Sequence, residues 1–242
     1  QTRGRLVAMS PHRIEVPVTF PSAFLRSDGI AAGLSEWVLR SPRFNRPFHG
    51  VRTAVVQQPP GAAGTSTANT TALHLAAARD YYPRLRDTEI YSHETALLFL
   101  GCPIRVAHRP HVSVLAPRNA SRTRGVVGHQ HGAPISCVLV DQHLPVAPPQ
   151  QALLQAVPSM SLAEVVVAID YLLRPRGPRD RTRPILTMAE LDALACTPNQ
   201  RCRHRLRLAA SLARIGAESR METLLRLILA AYGLDDGFEL QV

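Results

Sequence analysis

The sequence predicts an α+β fold with a small front unit, a mixed α/β middle and a helical C-terminal part. Of its 242 residues, 45% are hydrophobic and 19% are charged, which is typical of a globular chain with a sizeable core. Short segments of alternating hydrophobicity lie between about 111 and 140, whereas helical periodicity dominates from Ser161 onward. The predicted units are 1–56, 71–215 and 216–242.

A short helix followed by a basic hairpin is predicted in the front unit. Ser35 is placed to cap a helix that carries Val38 and Leu39. The arginine-rich segment from Arg43 to Val51 is typical of a short hairpin. Because winged-helix folds present this order of elements to DNA, residues 1–56 are predicted to form a winged-helix-like unit. An ordinary helix–loop–strand edge fits the same pattern equally well.

A turn-rich linker over 57–70 leads into two predicted helices. The first helix is expected over about Thr71 to Ala78. The second is expected to begin after Ser92, a natural N-cap, and to end at Gly101, a residue that favours helix termination. These helices introduce the β-rich middle of the chain.

The middle carries three predicted strands, over 111–115, 125–129 and 135–140. Its histidines are His108, His111, His129, His131 and His143. No spacing among them repeats a metal motif, and positions on strand surfaces explain them as well or better. Ser92, His93 and Glu94 are triad residue types, but neighbours on one helix point in different directions. No metal ligand is therefore predicted.

Three capping boxes mark the starts of helices in the C-terminal part, at Ser161–Glu164, Thr187–Glu190 and Ser219–Glu222. Asp170 falls within an apolar helical pattern, and an arginine on a neighbouring helix is its expected partner. An arginine-rich amphipathic helix is predicted over 201–215. Its apolar candidates are Leu206, Leu208, Leu212 and Ile215.

The end of the chain predicts an interrupted domain. A capped helix after Ser219 leads through a turn into a strand over 238–242, and that strand has no evident neighbour. Either it pairs backwards with the middle sheet, or the rest of a domain is missing. The chain also opens on Gln1 rather than on a methionine, which suggests a trimmed or partial chain.

The charge predicts a polyanionic partner. The 28 basic residues are all arginine and outnumber 18 acidic ones, giving a net charge of +10 and a pI near 10.6. An arginine surface that serves only solubility would have the same composition. The absence of lysine excludes Schiff-base and P-loop lysine chemistry from these residues. On the front unit, the candidate DNA contacts are Arg40, Arg43 and Arg46.

Cysteine use and hydropathy predict a cytoplasmic protein. Cys102, Cys137, Cys196 and Cys202 form no C-x-x-C pair and are interpreted as scattered thiols in a reducing compartment. No run of 18 apolar residues and no secretory signal is visible. A membrane is therefore not an expected partner.

Two segments, 91–103 and 218–234, carry a family resemblance. Their sequences are YSHETALLFLGCP and ESRMETLLRLILAAYGL. The layout resembles actinobacterial proteins whose front part is similar to the AbiEi-type antitoxin of type IV toxin–antitoxin systems. The tail of those proteins resembles the very-short-patch-repair endonuclease of the PD-(D/E)XK superfamily. The resemblance runs from about Gly33 to Val242 and is specific in the last 25 residues.

The resemblance implies a DNA-binding protein whose tail has the opening helix and strand of a restriction-endonuclease-like domain. Glu222 matches the helix glutamate of the nuclease family, and its role within the capping box is the preferred interpretation. The chain ends before the metal-binding aspartate and the (D/E)XK pair. No cofactor is therefore expected, and Mg²⁺ would be needed only by a complete nuclease domain. This chain is expected not to cleave DNA.

The leading prediction is a transcriptional regulator of the antitoxin type, with DNA as partner and a toxin or another protein as a further partner. The alternative is a partial copy of a metal-dependent PD-(D/E)XK endonuclease. A third interpretation is a non-catalytic module whose last strand docks onto another protein.

Overall fold

The computed structural model describes residues 21–55, 67–107, 109–134, 136–175, 184–197, 202–217 and 219–234. These residues form an α+β fold with a three-stranded and a five-stranded sheet and helices packed around them, as the sequence predicts. The predicted strand over 238–242 lies outside the described residues, as do most of the predicted linker and the first 20 residues.

The front unit has the strand order of a winged helix. Its elements are β1 (Ala23–Leu25), α1 (Arg26–Ala31), α2 (Glu36–Arg40), β2 (Phe44–Asn45) and β3 (Val51–Ala54). The antiparallel strands are ordered β1-β3-β2, so the β2–β3 hairpin follows two helices and joins β1 through β3. The predicted cap is present, because the Ser35 hydroxyl accepts from the Val38 N–H at 3.3 Å.

A small apolar cluster fixes the two short helices against this sheet. Its members are Phe24, Leu34, Val38, Leu39 and Phe44. The rings of Phe24 and Phe44 meet edge to face at 5.7 Å. Gly29 is required by close packing, since a Cβ there would lie 2.9 Å from the Phe24 ring and 3.1 Å from Leu39. Five residues are enough for α2 because tertiary packing, rather than length, stabilises it.

The larger sheet has the order β6-β5-β4-β8-β7. Its strands are β4 (Glu89–Tyr91), β5 (His111–Leu115), β6 (Val127–His131), β7 (Val138–Val140) and β8 (Leu144–Val146). β5 runs antiparallel to β4 and parallel to β6. In β5, Val112, Ser113 and Val114 are all buried, because both faces of this strand are covered. The alternation of its sequence is therefore not an alternation of burial.

The helices of the body pack against this sheet and against one another. They are α3 (Thr67–Tyr81), α4 (His93–Phe99), α5 (Pro149–Ala156), α6 (Leu162–Leu173), α7 (Met188–Cys196), α8 (Arg203–Leu212) and α9 (Arg220–Ala231). A short 3-10 helix over Tyr82–Arg84 follows α3. α3 begins at Thr67, four residues before the predicted start at Thr71. None of the described helices is long and apolar enough to cross a membrane.

The predicted caps differ in how completely they form. At α7 the box is complete, with the Thr187 side chain and the Glu190 carboxylate each accepting from the backbone of the other residue. At α6 the Ser161 hydroxyl accepts from the Glu164 N–H. The Glu164 carboxylate instead accepts from the Arg105 N–H at 2.9 Å and pairs with Arg220 on α9. A tertiary contact has therefore replaced half of the local motif.

Asp170 attaches α9 to the body. Its buried carboxylate accepts at 2.8 Å from Arg226 Nη2, from the Thr223 hydroxyl and from the Arg214 N–H. The prediction of an arginine partner on a neighbouring helix is confirmed.

The predicted apolar face of α8 is only partly correct. Leu206 is buried, whereas Leu208 and Ile215 are exposed. Leu206 and Leu208 are two positions apart, so they lie on opposite sides of a helix, and Ile215 lies beyond the end of α8.

Candidate nucleic-acid interface

Arginines of the front unit and of the loop before β6 surround one open depression of about 760 Å³. We call this depression the arginine basin and define it by Arg26, Arg40, Arg46, Arg52 and Arg124. The first four belong to the front unit, and Arg124 reaches the basin from the loop before β6. The rest of the lining is Gly125 and the segment between β2 and β3 that runs from Pro47 to Gly50.

Arg52 forms the base of the basin and is held rigidly. It is 7% exposed, and its Nε and Nη1 donate to the carbonyl oxygens of Leu39 and Val51, each at 2.8 Å. Burial lowers the pKa of Arg52, and the positive charges of Arg46, Arg26 and Arg40 lower it further. The basin therefore concentrates like charges around a guanidinium whose donors are partly used by the backbone.

Acidic residues offset only part of this charge. Glu36 pairs with Arg26 and, at 2.9 Å, with Arg40. Arg46 donates to the Arg40 carbonyl oxygen at 2.6 Å, a contact that positions its guanidinium without neutralising it. Among residues 21–55 five arginines face two carboxylates. The side chains of Arg40 and Glu36 are 67% and 48% exposed, so a polyanion can replace this pair at small cost.

The structure brings together two of the three predicted DNA contacts. Arg40 and Arg46 line the basin, whereas Arg43, just before β2, is exposed but does not line it. Sequence reasoning missed Arg26, Arg52 and Arg124. Arg52 could have been found because it directly follows the predicted hairpin, but no local signal relates Arg124 to the front unit.

The front unit is packed firmly on the body beside the basin. The rings of Phe48 and Tyr81 meet edge to face at 5.2 Å, and Arg84 donates to the His49 carbonyl oxygen at 2.9 Å. Gly125 has φ +89°, and a Cβ there would lie 3.3 Å from the Phe48 ring. This contact places Arg124, the residue before Gly125, at the basin.

A second arginine-lined depression lies next to the 3-10 helix and includes Arg84, Arg86 and Arg122. It is less suited to an anion, because Arg86 is paired at 2.6 Å with the buried Glu89 carboxylate. The hydrogen bond to Glu89 also raises the pKa of Arg86. The arginine basin is therefore the stronger candidate for phosphate binding.

Glu222 lies in the first turn of α9, where its carboxylate accepts from the Ser219 hydroxyl at 2.7 Å. The Ser219 hydroxyl in turn accepts from the Glu222 N–H at 3.3 Å. The Ser219 side chain therefore caps α9, and Glu222 is hydrogen-bonded to the capping hydroxyl. The acidic residues that follow, Asp235, Asp236 and Glu239, lie outside the described residues.

The histidines of the middle are less scattered than their sequence spacing suggests. His93, His111 and His129 each offer a potential ligand atom, and these atoms lie within 4.8 Å of one another. His143 lies elsewhere, with its ring against Tyr82, and His108 is outside the described residues. Strand position alone does not explain this grouping, because His93 is the first residue of α4.

No protein-family model and no curated protein matches the chain. Among solved structures, the chain is similar to the RV2827C protein from Mycobacterium tuberculosis, at 15% sequence identity and a TM-score of 0.40. The similarity covers 90% of this chain and 73% of that one.

Proposed function

We propose that this protein binds double-stranded DNA through the arginine basin and acts as a transcriptional regulator of the AbiEi-like antitoxin type. The observation that carries the DNA-binding proposal is the convergence of Arg26, Arg40, Arg46 and Arg52 beside the β2–β3 hairpin of a unit with winged-helix strand order. The regulatory role rests on the sequence resemblance alone.

Phosphate binding follows from the chemistry of the basin. Duplex DNA carries one negative charge per about 1.7 Å of helix axis, and guanidinium groups match phosphate oxygens with paired donors. Burial is the main cause that lowers the pKa of Arg52, and the positive charges of Arg46, Arg26 and Arg40 add to it. Phosphates placed beside Arg40 and Arg46 would relieve that added repulsion. Arg52 itself shapes the base of the basin, because its guanidinium is already bound to backbone oxygens.

The test is the salt dependence of duplex binding. Affinity is measured by fluorescence anisotropy with a labelled duplex of mixed sequence. Each phosphate contact contributes about −0.9 to the slope of log K against log salt. Arg46→Gln and Arg124→Gln should each weaken binding and reduce the magnitude of the slope by about 1. Arg207→Gln is the matched control, because Arg207 is exposed on α8 and does not line the basin.

Three results would overturn the proposal. One is no binding to the duplex at low salt, and a second is an affinity that does not change with salt. The third is an equal loss of affinity in Arg207→Gln and in the two basin variants, because binding would then depend on overall charge rather than on the basin.

A further inference from the structure

A group of three histidines lies where α4 meets the edge of β5 and β6. We call His93, His111 and His129 the three-histidine cluster. The Ser92 N–H donates to the His111 carbonyl oxygen at 3.1 Å, which brings the start of α4 against β5. The parallel register places Ser113 opposite His129, so His129 and His111 are diagonal neighbours on one face of the sheet.

The rings of the cluster are in direct contact. His129 Nε2 lies 3.0 Å from His111 Nδ1, so one of these nitrogens donates and the other accepts. The His93 ring stacks on the His129 ring, with centroids 3.6 Å apart. Close packing of three rings from three elements fixes their positions before any ligand arrives.

A hydroxyl pair orients His93. Its Nδ1 lies 2.9 Å from the Ser92 hydroxyl oxygen, which accepts from the Ser113 hydroxyl at 2.6 Å. When Nδ1–H of His93 donates to Ser92, the lone pair of Nε2 is available to a cation. Metal-binding histidines commonly hold their second nitrogen in this way.

A buried carboxylate beside the cluster is only half satisfied. Glu94 Oε1 accepts from the Ser159 hydroxyl at 2.5 Å. Glu94 Oε2 is buried without a hydrogen-bond partner among the described residues, although it lies 3.3 Å from His111 Nδ1. A buried charge is costly unless another charge or a set of hydrogen bonds compensates it. A cation bound beside this oxygen would compensate its charge.

Burial favours the neutral form of all three imidazoles. Burial, with the neighbouring histidines, lowers the pKa of His93 to about 2. Burial is also the main cause that lowers the pKa of His111 to about 4 and that of His129 to about 4. Neutral imidazole is the form that binds metals.

We propose that His93, His111 and His129 bind one divalent transition-metal ion of the zinc type, with Glu94 as the adjacent carboxylate that balances its charge. Three imidazole nitrogens suit zinc, cobalt and nickel better than magnesium or calcium, which prefer oxygen. Tetrahedral zinc with Zn–N bonds near 2.0–2.1 Å needs ligand atoms about 3.4 Å apart. The cluster atoms lie within 4.8 Å of one another, so small side-chain movements close the site.

The test is metal titration of chelator-treated, full-length protein. Zn²⁺ is titrated by calorimetry, and Co²⁺ is titrated while its absorption spectrum is recorded. We expect one equivalent of metal and a Co²⁺ spectrum of nitrogen and oxygen ligands. The near-ultraviolet charge-transfer band of a thiolate should be absent, which separates this site from Cys137, Cys196 and Cys202.

Substitutions locate the ion. His129→Gln should weaken binding at least about tenfold, and Glu94→Gln should weaken it about 10–100-fold as an outer-shell change. His204→Gln, an exposed position on α8, is the matched control and should bind as the wild type does. Circular dichroism of each metal-free variant checks that it is folded.

The proposal is wrong if the wild type binds no stoichiometric metal or if the Co²⁺ spectrum has a thiolate band. It is equally wrong if a folded His129→Gln variant keeps the wild-type affinity. If His129→Gln does not fold, Glu94→Gln and the wild-type spectrum decide. Wild-type affinity in Glu94→Gln would remove the charge-balancing role. Duplex binding does not enter this test, so its outcome is independent of the proposed function.

Discussion

Replacing Asp170 by alanine should destabilise the protein more than any surface change. The substitution leaves three donors without an acceptor, and Arg226 becomes a buried charge without a counter-charge. The Arg226 side chain is 14% exposed and its Nε already has no hydrogen-bond partner among the described residues. Breaking one partner of a buried pair costs about 3–5 kcal/mol. For a chain of this size, that loss lowers Tm by about 6–20 °C.

The assay is thermal and urea unfolding followed by far-ultraviolet circular dichroism. Asp192→Ala is the matched control, because Asp192 is exposed on α7, and it should stay within about 0.5 kcal/mol of the wild type. Adding Arg226→Met to Asp170→Ala should recover part of the loss, because the uncompensated charge is then removed as well. A loss below about 1 kcal/mol for Asp170→Ala, or strict additivity of the two substitutions, would refute the reasoning.

Four further outcomes are expected. Gly128→Ala should lower the free energy of unfolding by about 1–3 kcal/mol, because its Cβ would lie 2.2 Å from the Ser121 backbone. Gly132→Ala is the control, since a Cβ there meets no atom within 4 Å. Equal stabilities of the two variants in urea would contradict this. The metal-free protein should lose stability as pH falls below about 6.5. The histidines of the cluster have lowered pKa values in the folded state, so the unfolded chain binds more protons than the folded one. Urea midpoints measured across pH should depend less on pH in His129→Gln than in the wild type. The single tryptophan, Trp37, is 77% exposed on α2, so duplex DNA should protect its fluorescence from acrylamide; unchanged quenching at saturating DNA would place α2 outside the interface. The protein should not nick plasmid DNA with Mg²⁺, and nicking that Glu222→Gln abolishes would show that this prediction is wrong.

Local signals were sufficient to predict most elements and some contacts. Ser35 and Thr187 cap helices as predicted, because a cap depends only on residues within one turn. The partner of Asp170 was predictable in kind, since a carboxylate on an apolar helix must be paired. Its identity as Arg226 required the packing of α9 on α6.

Both candidate sites depend on contacts between distant parts of the chain. Along the chain, 18 residues separate His93 from His111 and another 18 separate His111 from His129, a spacing that matches no zinc motif. They converge only because β5 pairs in parallel with β6 and α4 begins beside β5. Arg124 reaches the basin through the contact between Gly125 and Phe48. Strand order and register determine which distant residues meet, and the periodicity of a single segment does not encode that information.

The packing of the front unit onto the body has a consequence for any target site. The apolar cluster of the body helices also includes Ala23, Phe48 and Val51 of the front unit. The basin therefore has a fixed orientation relative to the body. A DNA-binding domain on a flexible linker can rotate to bind half-sites with different spacings. In this protein the basin arginines would approach the duplex in one orientation relative to the body. Each base pair inserted between two bound copies turns the second by about 34° around the duplex axis. The spacing between two half-sites, rather than the length of a linker in the protein, would therefore decide whether two copies bind side by side.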